Sequence, residues 1–350
     1  MRTPIATFLV LLALAPMLTG QAPDAAAALK GAIDIHVHGA PDDRPRSVDV
    51  IQAAREARDR GMRAIVIKNH YESTAGDAYL ARTLVPGIDV FGGIDLNLTV
   101  GGINPAAVEH MTKVTGGWGR VVWFPTFDSE NQVRYSKEKR PFVSVARNGA
   151  LLPAVVEVIG LIAKNNLVLA TGHSTAAEGL MLLREGRRQG VQRMVVTHAM
   201  NAPIEMTVAQ MKEAATLGAF VEFVGSTPVS PDAGERYDRF AAAIRQIGPQ
   251  SCILSSDLGQ ATNPRPAEGF WRVPGGDAGP RIHGAGHRPD GAAEPGPPAR
   301  PALTYASRLV DRSVASVRTT SPHASRAAAC GQSTSMPTPF RKIPRRMTRK

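Results

Sequence analysis

Eight short apolar runs at nearly regular spacing constrain the fold of this chain more than any other feature. Longer Ala-, Leu- and Arg-rich stretches with helical period lie between them. Strands separated by helical crossovers form a parallel sheet with right-handed connections. Continuous apolar runs also suit strands that are buried on both faces. The runs are Ala32–His38, Ala64–His70, Val90–Asn97, Val121–Phe127, Leu167–His173, Met194–Ala199, Ala219–Gly225 and Ile253–Gly259.

The stretches between the runs are long enough for helices and complete the strand–helix alternation. Examples are Val48–Arg60, Leu151–Asn165, Ala176–Gln189 and Ile204–Leu217. Eight such units match a closed barrel better than an open six-stranded sheet. The sequence therefore predicts an α/β fold, a (β/α)8 TIM barrel, over residues 29–272.

The charge of the chain is concentrated at its carboxyl end. The net charge is +11, but residues 273–350 hold 13 Lys and Arg against 4 Asp and Glu. The barrel segment is therefore nearly neutral, and we expect no nucleic-acid partner despite the basic tail. Cys252 and Cys330 are the only cysteines in the sequence, which excludes a disulfide scaffold and a Cys-rich zinc cluster.

The amino-terminal segment, residues 1–22, has the pattern of a signal peptide. Arg2 precedes an apolar run from Ile5 to Leu18, and Gly20 and Ala22 supply small residues for a cleavage site. The run is shorter than the roughly 20 residues that span a bilayer. We therefore expect export to the periplasm or the medium, without stable membrane insertion.

The histidines are concentrated at strand ends. Three of the nine lie beyond residue 272, and five of the other six close a predicted strand. In a parallel barrel the carboxyl ends of the strands form one rim, where active sites lie. Asp257 ends the eighth strand, which is adjacent to the first strand in a closed barrel. Imidazole and carboxylate groups on one rim predict a divalent-metal site. The five histidines are His36, His38, His70, His173 and His198.

With these residues in this strand order, the chain resembles the amidohydrolase superfamily. The resemblance rests on the motif Asp34-Ile35-His36-Val37-His38, together with His173, His198 and Asp257 on later predicted strands. The stretches IKNHYESTAG, GGINPAAVEH and VVWFPT suggest one of its bacterial metal-dependent hydrolase branches. The resemblance implies that His36, His38 and Asp257 bind one ion. It also implies that His173 and His198 serve a second ion or the substrate, and that Asp257 is the general base.

The resemblance departs from the family pattern at strand four. Binuclear members bridge their ions with a carbamylated lysine or a glutamate there, but Val121–Asp128 contains neither. Lys68 is open to three interpretations: a substitute bridge, a ligand for an anionic substrate group, or a lysine whose amine reaches solvent at the rim. One or two divalent ions remain compatible, with zinc expected and manganese, iron or nickel as alternatives. Further candidate site residues are His70, Asp95, Asn97 and Glu222.

The expected function is that of a metal-dependent hydrolase. Metal-activated water would attack an ester, lactone, amide or phosphoester bond of a small molecule. One alternative is a barrel that binds a metal or ligand without turnover. The other is a serine hydrolase that uses Ser174, which follows an apolar strand and opens a helix. A homo-oligomer is compatible with either. Candidates for substrate contact, each of which fits a surface position at the rim better, are Arg44, Arg46, Tyr71, Trp123 and Arg134.

After Arg272 the composition changes abruptly. Residues 273–301 contain seven prolines and seven glycines and show no helical or strand period. An eighth barrel helix is due at this position, beginning near Ala267–Phe270. Permitted codons for residues 273–301, shifted by one base, can encode an amphipathic helix and an Asn-Pro-Ala ending that resembles the family's usual close. We therefore expect a frameshifted, disordered tail over residues 273–350. The alternative is a basic disordered arm that binds an anionic partner.

Overall fold

Eight parallel strands alternate with helices in the structure, a computed structural model that describes residues 29–225 and 233–270. Each strand pairs with the next in chain order, as the right-handed strand–helix–strand unit requires. The barrel strands are β1 (Ile33–Val37), β2 (Ala64–Ile67), β3 (Asp89–Asp95), β4 (Gly119–Trp123), β5 (Val168–Ala170), β6 (Arg193–Val196), β7 (Ala219–Val224) and β8 (Cys252–Ser255).

The first and last strands meet and close the barrel. Val37 forms a parallel bridge with Leu258. The backbone N–H of His38 donates to the Leu258 carbonyl at 2.8 Å, and the N–H of Asp257 donates to the His36 carbonyl at 2.9 Å. The predicted TIM barrel is confirmed, and its closure brings the carboxyl end of β1 beside the segment that follows β8.

The helices cover the outside of the barrel and begin at residues that cap them. The Asp49 side chain accepts from the Gln52 N–H at the start of the first helix, and Thr175 and Glu178 form a capping box at the sixth. The helices are α1 (Val50–Asp59), α2 (Ala75–Leu84), α3 (Pro105–Lys113), α4 (Glu130–Tyr135), α5 (Pro153–Lys164), α6 (Ala176–Arg188), α7 (Val208–Thr216), α8 (Ala233–Ile247) and α9 (Pro266–Gly269).

Apolar side chains fill both the barrel interior and the layer beneath the helices. Inside the barrel, Ile33, Phe91 and Val195 belong to one buried cluster. Outside it, the buried faces of the helices pack on the strands in two larger clusters. Because both faces of the strands are covered, the strands read as apolar runs rather than as an alternating pattern.

Every strand ends earlier than the sequence predicted. β5 ends at Ala170 and β6 at Val196, so His173 and His198 lie in the loops that follow them. The backbone leaves the sheet there through left-handed conformations, with φ of 62° at Gly172, 24° at His198 and 50° at Asp257. The expected rim is therefore formed by the first residues of the loops rather than by the strands themselves.

Two predicted segments lie outside the described residues: the signal peptide and the basic tail. Within residues 29–225 and 233–270, the helices are too short or too polar to cross a lipid bilayer.

Candidate metal centre

A cavity of about 410 Å³ opens at the carboxyl ends of the strands. All five predicted strand-end histidines line it together with Asp257. Its walls also include residues from the loops after β1, β4, β6 and β8. The lining residues are His36, His38, Arg44, Pro45, Arg46, His70, Phe127, Gln132, His173, His198, Asn201, Ala202, Asp257 and Gln260.

His36, His38 and Asp257 converge at one point of this cavity. The Nε2 atoms of both histidines lie 3.2 Å from Oδ1 of Asp257. One ligand atom from each residue falls within 4.8 Å of the others. The alternation of side chains along β1 directs both imidazoles inward, and barrel closure adds the carboxylate. The structure thus brings these three predicted residues together.

Glu222 on β7 holds His36 in place. Its Oε1 lies 3.2 Å from Nδ1 of His36 and accepts from the Ser255 hydroxyl at 2.6 Å. Its Oε2 accepts from the backbone N–H of His198 at 2.9 Å. A carboxylate on Nδ1 keeps the proton there and directs the Nε2 lone pair toward Asp257. Glu222 therefore supports the site from behind and does not line the cavity.

His173 and His198 form the second half of the site. Their Nε2 atoms lie 3.1 Å apart, and the His198 ring stacks on the His36 ring with centroids 5.9 Å apart. Nδ1 of His173 lies 2.8 Å from Oε1 of Gln132. An amide oxygen on Nδ1 leaves the Nε2 lone pair available. The sequence analysis did not single out Gln132, although it lies in the long connection after β4 that contains α4.

The electrostatics of the site keep most of its imidazoles neutral. Burial lowers the pKa of His38 to about 3, and lowers the pKa values of His173 and His198 as well. Burial also opposes the charged form of His36, but the carboxylates of Asp257 and Glu222 outweigh it and raise the pKa of His36. Burial would raise the pKa of Asp257, yet His36 and His38 hold it well below its ordinary value.

Lys68 lies behind the site in a buried polar network. Its side chain is fully buried, and Nζ lies 2.9 Å from Oδ2 of Asp95 and 3.2 Å from Nδ1 of His70. The Thr126 hydroxyl donates to the same Asp95 oxygen at 2.9 Å and accepts from the Asn97 amide at 2.7 Å. The interpretation of Lys68 as a solvent-reaching lysine is wrong, because a strong ion pair retains it inside the barrel.

His70 connects this network to the cavity. Its Nδ1 faces Asp95 and Thr126 at 3.1 and 2.9 Å, and its ring stacks on His38 with centroids 5.0 Å apart. Asp95 and Asn97 are fully buried and do not line the cavity. Of the further candidates, only His70 therefore reaches the space a ligand would occupy.

The candidates for substrate contact divide into three groups. Arg44 and Arg46 line the cavity, and Tyr71 contacts the Arg44 guanidinium. Trp123 is buried inside the barrel. Arg134 lines a separate cavity of about 570 Å³ beside the hairpin formed by Ala146–Arg147 and Ala150–Leu151, away from the candidate metal ligands.

Ser174 lacks the surroundings of a catalytic serine. Its hydroxyl is buried and has no hydrogen-bond partner within the described part of the chain. A nucleophilic serine needs a base within hydrogen-bond reach. Ser174 therefore lacks the base that would activate it as the nucleophile of a serine hydrolase.

The donor set fits a divalent ion. Ligand atoms about 2.0–2.2 Å from one tetrahedral zinc lie roughly 3.3 Å from each other. The His–Asp contacts of 3.2 Å and the His173–His198 contact of 3.1 Å match that separation. The left-handed backbone at His198 and Asp257 is uncommon outside glycine, and such backbone is concentrated at functional sites. Val121–Asp128, which covers the end of β4 and the residues directly after it, contains no lysine or glutamate to bridge two ions.

Comparisons with known proteins place the chain in a family and a fold. Residues 31–222 match the profile of a family described as "Family of unknown function (DUF6282)". None of the curated proteins matches the chain. Similar solved structures include an amidohydrolase from Pseudomonas aeruginosa. The identity is 11%, the TM-score is 0.47, and the match covers 67% of this chain and 76% of that one.

Two further similar structures carry different chemistries. A variant of an organophosphorus hydrolase from Deinococcus radiodurans is 15% identical, with a TM-score of 0.44 and coverage of 71% of this chain and 82% of that one. A deoxyribose phosphate aldolase from Aeropyrum pernix is 16% identical, with a TM-score of 0.40 and coverage of 71% and 91%. Both structures resemble this chain only distantly. Proteins with the same barrel fold can have many different functions.

Proposed function

Since the chain belongs to DUF6282, a family of unknown function, we propose its activity from the site itself: it is a metal-dependent hydrolase that acts on a small molecule. The single observation that carries the proposal is the convergence of His36, His38 and Asp257 at the base of a cavity. His173 and His198 add two imidazoles to the same wall. Ester, lactone, amide and phosphoester bonds are the candidate targets.

The residues of this chain divide the work. His36, His38 and Asp257 would hold a divalent ion, with His173 and His198 as ligands of the same or a second ion. A divalent ion in such a set supplies Lewis acidity, which makes water a nucleophile at neutral pH. His36 and His38 keep Asp257 ionised. Its carboxylate can therefore accept a proton from water and return it to the leaving group. Glu222 and Gln132 fix the imidazoles that they contact.

A second candidate is a barrel that binds a metal or ligand without turnover. The missing bridge after β4 favours it, because a binuclear hydrolytic site of the resembled kind needs that residue. We also propose that the chain is exported, on the basis of the pattern in residues 1–22.

The test is the metal content of a double variant. We expect purified protein to carry one or two divalent ions, and His36→Ala with His38→Ala to remove them. The matched control is His110→Ala, because His110 is an exposed histidine on α3. Elemental analysis by mass spectrometry measures the metal. Unchanged content in the double variant contradicts the proposal. Hydrolysis of an ester, lactone, amide and phosphoester panel with added zinc or manganese separates the hydrolase from the binding barrel.

A further inference from the structure

Arg44 presents a cation at the cavity that the proposed chemistry does not use. Its side chain is 49% exposed, and its guanidinium carbon lies 4.6 Å from the centre of the Phe127 ring and 5.4 Å from that of Tyr71. Phe127 in turn packs on His70 at 4.1 Å between centroids, and His70 stacks on His38. Two aromatic rings therefore hold Arg44 on the same wall as the candidate metal ligands.

The other arginine in the wall is already neutralised. The Arg46 side chain is 4% exposed, and its Nε and Nη2 atoms donate to Oδ2 of Asp42 at 2.8 and 2.6 Å. This buried pair helps to anchor the loop after β1, which also pairs with Gln260 across the cavity mouth. Arg46 therefore positions the loop, and Asp42 is not available to neutralise Arg44.

Arg44 itself is only weakly compensated. Within the described residues its guanidinium pairs with the carboxylate of Asp43, which lies 3.6 Å from Nε and is 55% exposed, so solvent screens this pair. The Asp42 carboxylate contacts only the backbone N–H of Arg44, at 3.4 Å. Asp43 does not line the cavity. Tyr71 accepts from Nη2 but is neutral. One guanidinium charge thus faces the cavity, and within the described residues its Nη1 makes no hydrogen bond.

From this arrangement we propose that the substrate carries a carboxylate that Arg44 binds, at the opposite end from the bond that is cleaved. The proposal rests on the proposed function for the position of that bond. A single weakly compensated arginine matches the one negative charge of a carboxylate better than the two of a phosphate monoester. The planar guanidinium edge also suits the two carboxylate oxygens. Phe127 and Pro45 provide an apolar wall for the carbon skeleton between the two ends.

The experiment measures binding of probes that no hydrolase step alters. Terephthalate is compared with 4-acetylbenzoate, and glutarate with 5-oxohexanoate, by calorimetry on the full-length metal-loaded protein. Each pair shares one carboxylate, and the second end is a carboxylate in one member and a neutral methyl ketone in the other. We expect the dianion to bind about 10–100-fold more tightly in at least one pair, the usual range for a charge-assisted contact. Arg44→Met should abolish that preference, and Arg44→Lys should retain part of it.

Arg134→Met is the matched control. Arg134 is another rim arginine over an aromatic ring, 5.5 Å from the centre of Phe142, but it lines the separate cavity. We expect it to leave the preference unchanged. Equal binding within both pairs, or a preference that survives in Arg44→Met, overturns the proposal. Tighter binding of 4-phosphonobenzoate than of terephthalate overturns the carboxylate assignment. Because the experiment measures binding and not hydrolysis, it still tests the carboxylate proposal if the protein proves not to be a hydrolase.

Discussion

At the scale of single residues, Lys68 shows how burial decides a role. Its ammonium group has no exposed surface and is paired with Asp95, which is also fully buried. A metal bridge would need the amine to face the cavity, but Lys68 does not line it. We infer that the pair is structural and supports His70 from behind. Burial raises the pKa of Asp95 while the lysine lowers it, so each charge depends on the other.

Replacing one partner of this pair tests that assignment. Lys68→Met should lower the free energy of unfolding by about 3–5 kcal/mol, because it leaves a buried carboxylate without its cation. Adding Asp95→Asn should recover much of the loss. Urea unfolding with a chelator present measures both. Metal content in the double variant should match that of the unchanged protein; a loss of the metal there would make Lys68 a ligand after all.

At the scale of elements, the turn after β5 places His173. Gly172 has φ of 62°, and a Cβ built on it would lie 2.0 Å from the carbonyl oxygen of Phe124. The N–H of His173 donates to the Pro125 carbonyl at 2.9 Å, so the β5 turn is fastened to the segment after β4. Only glycine permits this close approach, and the approach directs His173 toward His198.

Gly172→Ala should therefore damage both stability and the site. We expect a loss of about 3 kcal/mol from backbone strain and the steric clash, together with weaker metal binding as His173 moves. Chemical unfolding and a chelator competition titration measure the two effects. Gly149→Ala is the control, because Gly149 also has positive φ, at 77°, but a Cβ there meets nothing within 4 Å. Equal losses in the two variants would show that the contact with Phe124 is unimportant.

The sequence predicted the order of the elements well because periodicity and strand composition are local signals. It also predicted His36, His38 and Asp257, since strand order in a closed barrel fixes which ends are neighbours. The strand ends were predicted too late, because the left-handed turns at His198 and Asp257 depend on contacts between loops. Gln132 and the burial of Lys68 were missed for the same reason: both depend on tertiary contacts that no short pattern contains.

At the scale of the whole molecule, the buried histidines make stability depend on pH. Burial lowers the pKa values of His38, His70, His173 and His198 in the folded state. The unfolded chain binds protons on these residues below about pH 6.5, whereas the folded chain does not. The free energy of unfolding is therefore highest, with respect to these histidines, above pH 6.5. It decreases as pH falls toward about 3, the folded pKa of His38.

We expect metal-free protein to lose up to about 1.4 kcal/mol per pH unit for each of these histidines between pH 6.5 and pH 5. The pKa of His36 is raised instead, so His36 adds stability as pH falls to about 6.5 and contributes little further change below that pH. Urea midpoints at pH 6.5 and 5.0 therefore measure the change. His173→Gln removes one titrating group and should make the dependence shallower. Stability that is flat over this range would contradict the assignment.

The last described residues of the barrel, at α9, are relevant to the predicted frameshift. Helix α9 begins where an eighth helix is expected, and Ala267 and Phe270 are buried against the cluster beside α1. We expect DNA sequencing to reveal a frame error near the codons for residues 270–273. The corrected chain should end near position 304 and be more stable by several kcal/mol, since each buried apolar side chain contributes about 1.5–3 kcal/mol. Limited proteolysis should cut the present chain beyond residue 272; a protected tail would contradict this account.

The meeting of the first and last strands has a consequence for biosynthesis. His38 and Asp257 touch across a separation of 219 residues. A ribosome therefore makes the two histidines of β1 early, but the carboxylate that faces them emerges only near the end of translation of the barrel. Contacts this distant in sequence form slowly because a long loop must close first. During most of its synthesis the chain thus holds half of the site, and it acquires the other half together with its final strand.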